Sequence, residues 1–94
     1  MTEELIVLVE FEAASGLTRT EIAELVDYGV FEPEGSREQD WLFPASALAL
    51  ARAAARLRAD FELSAENLAL LLAYRERLQE LEQRIRELEC RLPR

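Results

Sequence analysis

Residues 15–25 read SGLTRTEIAEL, a pattern typical of the tight turn and second helix of a helix-turn-helix. Gly16 supplies the left-handed residue that ends the preceding helix. Thr18 and Glu21, three residues apart, predict a capping box that starts the next helix. In a DNA-binding protein this second helix enters the major groove. The segment therefore predicts a DNA-reading architecture.

The charge of the chain does not match that architecture. The 94 residues include 11 Arg, no Lys and no His against 19 acids, for a net charge of -8. Residues 1–44 hold two bases, Arg19 and Arg37, and eleven acids, whereas residues 45–94 hold nine Arg and eight acids. DNA binding depends on neutralising phosphates, so DNA and anionic membranes are poor partners and a basic protein surface is a better one. A merely solubilising acidic surface does not explain the asymmetry.

The rest of the first half predicts a small two-stranded wing in a mainly α-helical fold. Residues 5–9 are an apolar, β-branched run typical of a short strand. Gly29 stops the second helix, and residues 30–31 lead into a candidate strand. Residues 33–40 form a polar loop with turn chemistry, and residues 41–43, Trp-Leu-Phe, give the returning strand.

Helices flank the wing on both sides. Residues 10–15 make one or two helical turns before the helix-turn-helix turn, and residues 45–60 form an Ala-rich helix with Pro44 in its first turn. The inward-facing residues predicted for the three short helices are Phe11 and Ala14, then Ile22, Leu25 and Val26, then Leu50, Ala54, Leu57 and Phe61.

The final helix, predicted from Ala65 to about Arg91 with Ser64 as its N-cap, carries a coiled-coil heptad. We expect its apolar stripe to form a homodimer. The predicted dimerisation residues are Leu71, Leu78, Ile85 and Leu92 at one core position and Tyr74, Leu81 and Leu88 at the other. The alternative is a single helix packed on its own domain, which offers little surface for so long a stripe. The predicted division is residues 1–63 and 64–94.

The flanking charges leave the strand orientation open. Parallel pairing matches Arg77 with Glu82 and Arg84 with Glu89 of a partner, whereas antiparallel pairing brings these arginines near one another. Exposed pairs of this kind contribute only about 0.2–1 kcal/mol each.

The sequence predicts no enzyme. It has no His for base chemistry, no Gly-rich phosphate loop and no Cys/His metal set, so we expect no cofactor and no metal. Cys90, the single cysteine, indicates a reducing cytoplasm. The first residues lack the basic region of a signal peptide, and no run is long enough to cross a membrane. We expect a cytoplasmic protein.

Several motifs in this order resemble those of MerR-type winged helix-turn-helix regulators. The Ser-Gly-Leu-Thr turn at residues 15–18, the Gly-Val-Phe-Glu-Pro exit at residues 29–33 and the strand at residues 41–43 match that class. The departures fall on the DNA-contacting positions. Ala23 stands where the class usually has Arg, and Glu24 replaces the aromatic residue that follows.

The chain is more similar to the chaperone-modulator family CbpM, a divergent branch of that class. The acidic second helix, the Gly-Val-x-Glu-Pro exit, the Trp-x-Phe strand and Arg-Leu-Arg at residues 56–58 carry the resemblance, which covers nearly the whole chain. It implies that the protein binds the J-domain of a CbpA-type, DnaJ-like co-chaperone and inhibits its activity toward the Hsp70 chaperone DnaK. A MerR-type DNA-binding regulator is the alternative, and a bare assembly module leaves the acids unexplained.

We expect the partner-binding residues on the acidic second helix and the wing. An acidic modulator can compete for the basic helix that J-domains present to Hsp70, because complementary charge aids encounter and specificity. Trp41 is either an interface anchor or a residue that packs the wing against the second helix. The candidate contacts are Glu21, Glu24, Asp27, Glu32, Glu34 and Trp41.

Overall fold

The computed structural model describes residues 3–92. It confirms a mainly α-helical winged helix-turn-helix with a two-stranded antiparallel sheet and a long last helix. In chain order, the elements are β1 (Leu5–Val7), α1 (Leu8–Ser15), α2 (Arg19–Asp27), a 3-10 turn (Glu38–Asp40), β2 (Leu42–Pro44), α3 (Ala47–Phe61) and α4 (Ala65–Arg91).

The turn that joins α1 to α2 forms as predicted. Gly16 adopts φ 87° and its N–H donates to the Glu12 carbonyl at 3.1 Å. The Thr18 hydroxyl accepts from the Glu21 N–H at 3.1 Å, and the Glu21 carboxylate accepts from the Thr18 N–H at 2.9 Å. This capping box satisfies backbone donors that the first turn of α2 leaves without helical partners.

The core lies between α1, α2, α3, β2 and the start of α4, around three aromatic rings. Phe11 stacks on Phe43 with centroids 4.2 Å apart, and Phe31 meets both rings edge-on. Ile6 of β1 pairs with Phe43 of β2, and both side chains are buried. Burial of such side chains stabilises the fold by about 1.5–3 kcal/mol each.

The prediction of a strand at residues 30–31 was wrong. Phe31 turns into the core and is 3% exposed, so this segment does not run beside β2. Instead β2 pairs with β1, and the wing loop closes through one bridge between Glu34 and Leu42. Gly35, at φ 103°, permits this closure, because a Cβ there would lie 2.6 Å from the Asp40 carbonyl oxygen.

Helix boundaries and faces also differ from prediction in places. The first strand ends at Val7 rather than at residue 9, and Pro44 ends β2 rather than opening α3. Ala14 is exposed because α1 buries Leu8, Phe11 and Ser15, which lie on another side of the helix. Phe61, the last residue of α3, is 65% exposed, since Glu62 in the left-handed region turns the chain away.

Helix α4 has the predicted bounds and cap, with the Ser64 hydroxyl accepting from the Asn67 N–H at 3.2 Å. Leu68 and Leu72 are buried in the core. All residues from 73 to 92 are exposed, so about 28 Å of helix extends beyond the core at 1.5 Å per residue. Within residues 3–92, none of the helices has the length and apolar character that crossing a bilayer requires.

Candidate functional site

An acidic surface lies where the end of α2 meets the start of α4. Glu24 and Asp27 are exposed on α2, and Glu66 is exposed in the first turn of α4. These three carboxylates line one shallow depression together with Tyr28, Ser64 and Ala65. We call Glu24, Asp27 and Glu66 the acidic face. The sequence analysis did not predict Glu66 as a site residue, because only the fold brings it beside residues some forty positions earlier.

Glu21 has a different environment from the other two predicted contacts on α2. Its carboxylate lies 2.6 Å from the Arg58 guanidinium and is 15% exposed, while its other oxygen completes the capping box. Glu21 therefore ties the start of α2 to the end of α3. A charge already paired in this way contributes less to the field that an incoming partner meets.

Both arginines of the acidic half are themselves paired with acids. Arg19 donates to the Glu38 carboxylate at 2.7 Å, and Arg37 donates to Asp40 at 3.2 Å. Neither charge is therefore free to neutralise a phosphate without breaking an ion pair. The surface that would meet DNA remains acidic.

The other three candidate residues, Glu32, Glu34 and Trp41, do not line the depression that the acidic face shares. Glu34 is exposed and bridges to Leu42 through its backbone, and Glu32 is exposed on the segment after α2. Trp41 is half-buried, with its ring edge-on to Phe43 at 6.0 Å. This contact is with β2 rather than with α2, and the role of Trp41 as an interface anchor stays a prediction.

A second concave feature, which we call the central groove, adjoins the acidic face at Tyr28. Two depressions that share Gly29, Val30, Leu50 and Glu76 form it. One continues along α4 to Leu72 and Ala73, and the other continues to Glu32 and Pro44. No local sequence pattern predicts this groove, because its walls come from four separate parts of the chain: the segment after α2, β2, α3 and α4.

The apolar stripe of α4 faces away from the core. Leu72 lies about 40° ahead of Leu68 around the helix, while Leu71 lies about 60° behind it at roughly 100° per residue. Among residues 3–92 the seven predicted dimerisation residues remain exposed, with exposures from 38% for Leu81 to 65% for Leu92. Contiguous exposed apolar surface of this kind marks interaction sites.

Comparisons with known proteins agree with this architecture. Residues 6–90 match the family model described as MerR HTH family regulatory protein, which places the chain in the MerR helix-turn-helix class. A chaperone modulatory protein CbpM from Pseudomonas putida is 37% identical over 78 residues, covering 83% of this chain and 77% of that protein. One from Coxiella burnetii is 36% identical over 80 residues, covering 85% and 76%. Within the MerR class, the chain belongs to the CbpM family.

These relatives are named for regulation or modulation, not for catalysis. That naming fits the exposed features of this chain, which are a charged face, a groove and a helical stripe. Features of this kind bind macromolecules.

Proposed function

We propose that this chain is a chaperone modulator that binds the J-domain of a CbpA-type, DnaJ-like co-chaperone and inhibits its activity toward Hsp70 (DnaK). Membership of the CbpM family supports the chaperone role. One structural observation supports binding by charge: Glu24, Asp27 and Glu66 are exposed side by side on one surface. The exposed, single Cys90 agrees with the cytoplasm as its compartment.

Inhibition follows from competition for one surface. A J-domain presents a basic helix to Hsp70, and the acidic face offers that helix an alternative partner. Complementary charge accelerates encounter and excludes partners of like charge. A J-domain held in this way is unable to stimulate ATP hydrolysis by Hsp70.

The test reverses the acidic face without touching Glu21, whose removal would loosen α2. In Glu24→Lys/Asp27→Lys, we expect the affinity for a CbpA-type J-domain to fall by tenfold or more, about 1.4 kcal/mol or more. The loss should appear mainly in the association rate, as for other exposed charges. Surface plasmon resonance measures the rates, and J-domain-stimulated ATPase activity of DnaK measures inhibition.

The matched control is Glu80→Lys/Glu87→Lys, which changes the net charge equally on α4, outside both the acidic face and the apolar stripe. We expect this control to bind and inhibit like the parent. If both double variants bind as tightly as the parent, the contact lies elsewhere. If both weaken equally, only net charge matters and the acidic face is not the site.

We also propose that the chain is a homodimer held by α4. The support is the exposed stripe of seven apolar side chains at heptad spacing. We accordingly propose that residues 1–63 form the winged domain and that residues 64–94 form the dimerisation helix.

DNA binding is the second candidate function, because the family model matched over residues 6–90 describes regulators. The ion pairs of Arg19 and Arg37 with acids count against it. We expect no shift of duplex DNA by the chain in a gel at about 150 mM salt, where exposed charges are screened beyond roughly 8 Å. Submicromolar binding to a duplex would restore the regulator function.

A further inference from the structure

The central groove combines an apolar floor with acidic charge. Its walls include Val30 and Leu50, both partly buried, and Leu72, which is 2% exposed. The depression that Leu72 and Ala73 line measures about 120 Å³, and the one that continues to Pro44 measures about 380 Å³. A cavity of roughly 150 Å³ lined by apolar side chains accepts a molecule the size of benzene. The groove therefore has room for about one large apolar side chain.

The charged residues that line the groove and the adjoining depression are all acids. Glu76 and Glu32 line the groove itself. Glu24, Asp27 and Glu66 line the depression that meets the groove at Tyr28. By contrast, the depression along α3 on its α1 side is lined by Arg52 and Arg56, and the one beside Arg75 by Arg56, Arg75 and a single acid, Asp60. Acidic charge thus flanks the apolar floor at both of its ends.

The backbone around the groove is already hydrogen-bonded. The Gly29 N–H donates to the Val26 carbonyl at 3.0 Å, and the Val30 N–H donates to the Leu25 carbonyl at 2.9 Å. An added strand needs free backbone donors and acceptors along an edge, whereas a helix docks through side chains alone. These two donors are therefore not available to an added strand, which favours a helix as the occupant.

We propose that the central groove seats an amphipathic basic helix of the partner protein, with one large apolar side chain inserted between Val30, Leu50 and Leu72. Bases before and after that anchor pair with Glu24, Asp27 and Glu66 at one end and with Glu32 at the other, while Glu76 lies on the lining that the two depressions share. The identity of the partner as a J-domain rests on the proposed function. The groove adds an apolar anchor to a contact otherwise described by charge alone, and anchors of this kind dominate binding energy.

The test blocks the groove from its rim. Ala73 is exposed on α4 and lines the groove, so Ala73→Trp fills the groove without replacing a buried residue. Gln83→Trp adds the same bulk to an exposed position of the same helix, outside the groove and the apolar stripe. Circular dichroism is the control for folding: we expect both variants to keep the helical content of the parent.

Two probes separate this inference from the proposed function. One is a CbpA-type J-domain, and the other is a synthetic amphipathic helix of Leu and Lys, compared with its counterpart of Leu and Glu. We expect the parent to bind the Lys peptide and not the Glu peptide. Ala73→Trp should weaken both the J-domain and the Lys peptide by about tenfold or more, a typical effect for blocking an anchor. Gln83→Trp should bind both within about twofold.

Each other outcome has a distinct meaning. If the parent binds the J-domain and Ala73→Trp binds it equally, the groove is not the seat, and the proposed function stands. If the parent binds the Lys peptide through the groove but no J-domain, the groove inference stands and the proposed function fails. If Ala73→Trp alters the molar mass in light scattering instead of peptide binding, a second copy fills the groove, and the inference is overturned.

As a check on geometry, the amide resonances of Val30 and Ala69 should shift on addition of either binding partner, because both residues line the groove. Resonances of α1, such as that of Ala13, should stay in place. Shifts confined to α1 would contradict the inference even if the affinities changed.

Discussion

Residues 3–72 and residues 73–92 differ in where their apolar side chains find partners. In the first region, Phe11, Ile22 and Phe43 are fully buried within the chain. In the second, apolar side chains are no less regular, yet all are exposed. Most helical stability in proteins comes from the packing of an apolar face, and the proposed homodimer would supply that packing for the second region. The fold of the first region is intramolecular, whereas under the proposed homodimer the stability of the second would depend on protein concentration.

The largest effect should come from charging the apolar stripe. We expect Leu81→Lys/Ile85→Lys to abolish dimerisation, because each strand would place two ammonium groups in an apolar seam and unpaired buried charge is strongly unfavourable. Light scattering should report a dimer for the parent and a monomer for the variant. The N-terminal region should keep its fold, since neither residue contacts the core.

The control for that experiment is Gln79→Lys/Gln83→Lys, which adds charge to the same helix outside the stripe. We expect this control to remain a dimer. A parent that is monomeric at micromolar concentration would contradict the coiled-coil assignment. The exposed apolar stripe of the second region would then need another explanation.

The next largest effect concerns the stability of the first region, where a buried phenylalanine is compared with an exposed one. Phe43 is fully buried against Phe11, whereas Phe61 is 65% exposed. We expect Phe43→Ala to lower the free energy of unfolding by about 3–5 kcal/mol, the cost of lost burial plus a cavity. Phe61→Ala should change it by within about 0.5 kcal/mol, as for most surface substitutions.

Urea denaturation at one fixed protein concentration measures both variants. If Phe43→Ala proves too unstable to purify, Phe43→Leu gives a smaller loss in the same direction. Equal losses for Phe43→Leu and Phe61→Leu would show that the aromatic cluster is not the centre of the core.

Local signals predicted most of the fold. The capping box at Thr18, the left-handed Gly16 and the N-cap Ser64 each depend on residues within about three positions, so the sequence alone determines them. The heptad of α4 likewise repeats along one helix. The caps formed with the predicted residues and α4 is one continuous helix, while the pairing of its heptad positions stays a prediction.

Features that depend on distant residues were predicted less well. Residues 30–31 have strand composition, but Phe31 gains more by burial against Phe11 than by pairing beside β2. The ion pair of Glu21 with Arg58 joins residues 37 positions apart. No local pattern predicts this ion pair. Because Glu21 is already paired with Arg58, it is a weaker candidate contact than Glu24 or Asp27. Glu66 and the central groove were missed for the same reason.

One polar contact ties the start of the chain to the start of α3. The Glu3 carboxylate accepts the Ser46 N–H at 2.8 Å, where the side chain of Ser46 provides no cap of its own. Hydrogen bonds from the Ser46 side chain and then its backbone N–H hold the pKa of Glu3 below its ordinary value of 4.5. A carboxylate that accepts such a bond in place of an N-cap side chain satisfies a free donor of the first turn.

The smallest predicted effect follows from that pKa. Because the folded-state pKa of Glu3 is below the unfolded value, its contribution to stability is present above pH 4.5 and is lost as the pH falls through the lowered value. We therefore expect Glu3→Gln to be slightly less stable than the parent at pH 7 in urea denaturation, and the difference to disappear in acid. Glu4→Gln is the control, since Glu4 contacts Ala45 through its backbone carbonyl, and it should match the parent at both pH values. A difference for Glu3→Gln that persists unchanged in strong acid would show that the carboxylate charge is not what stabilises this end of α3.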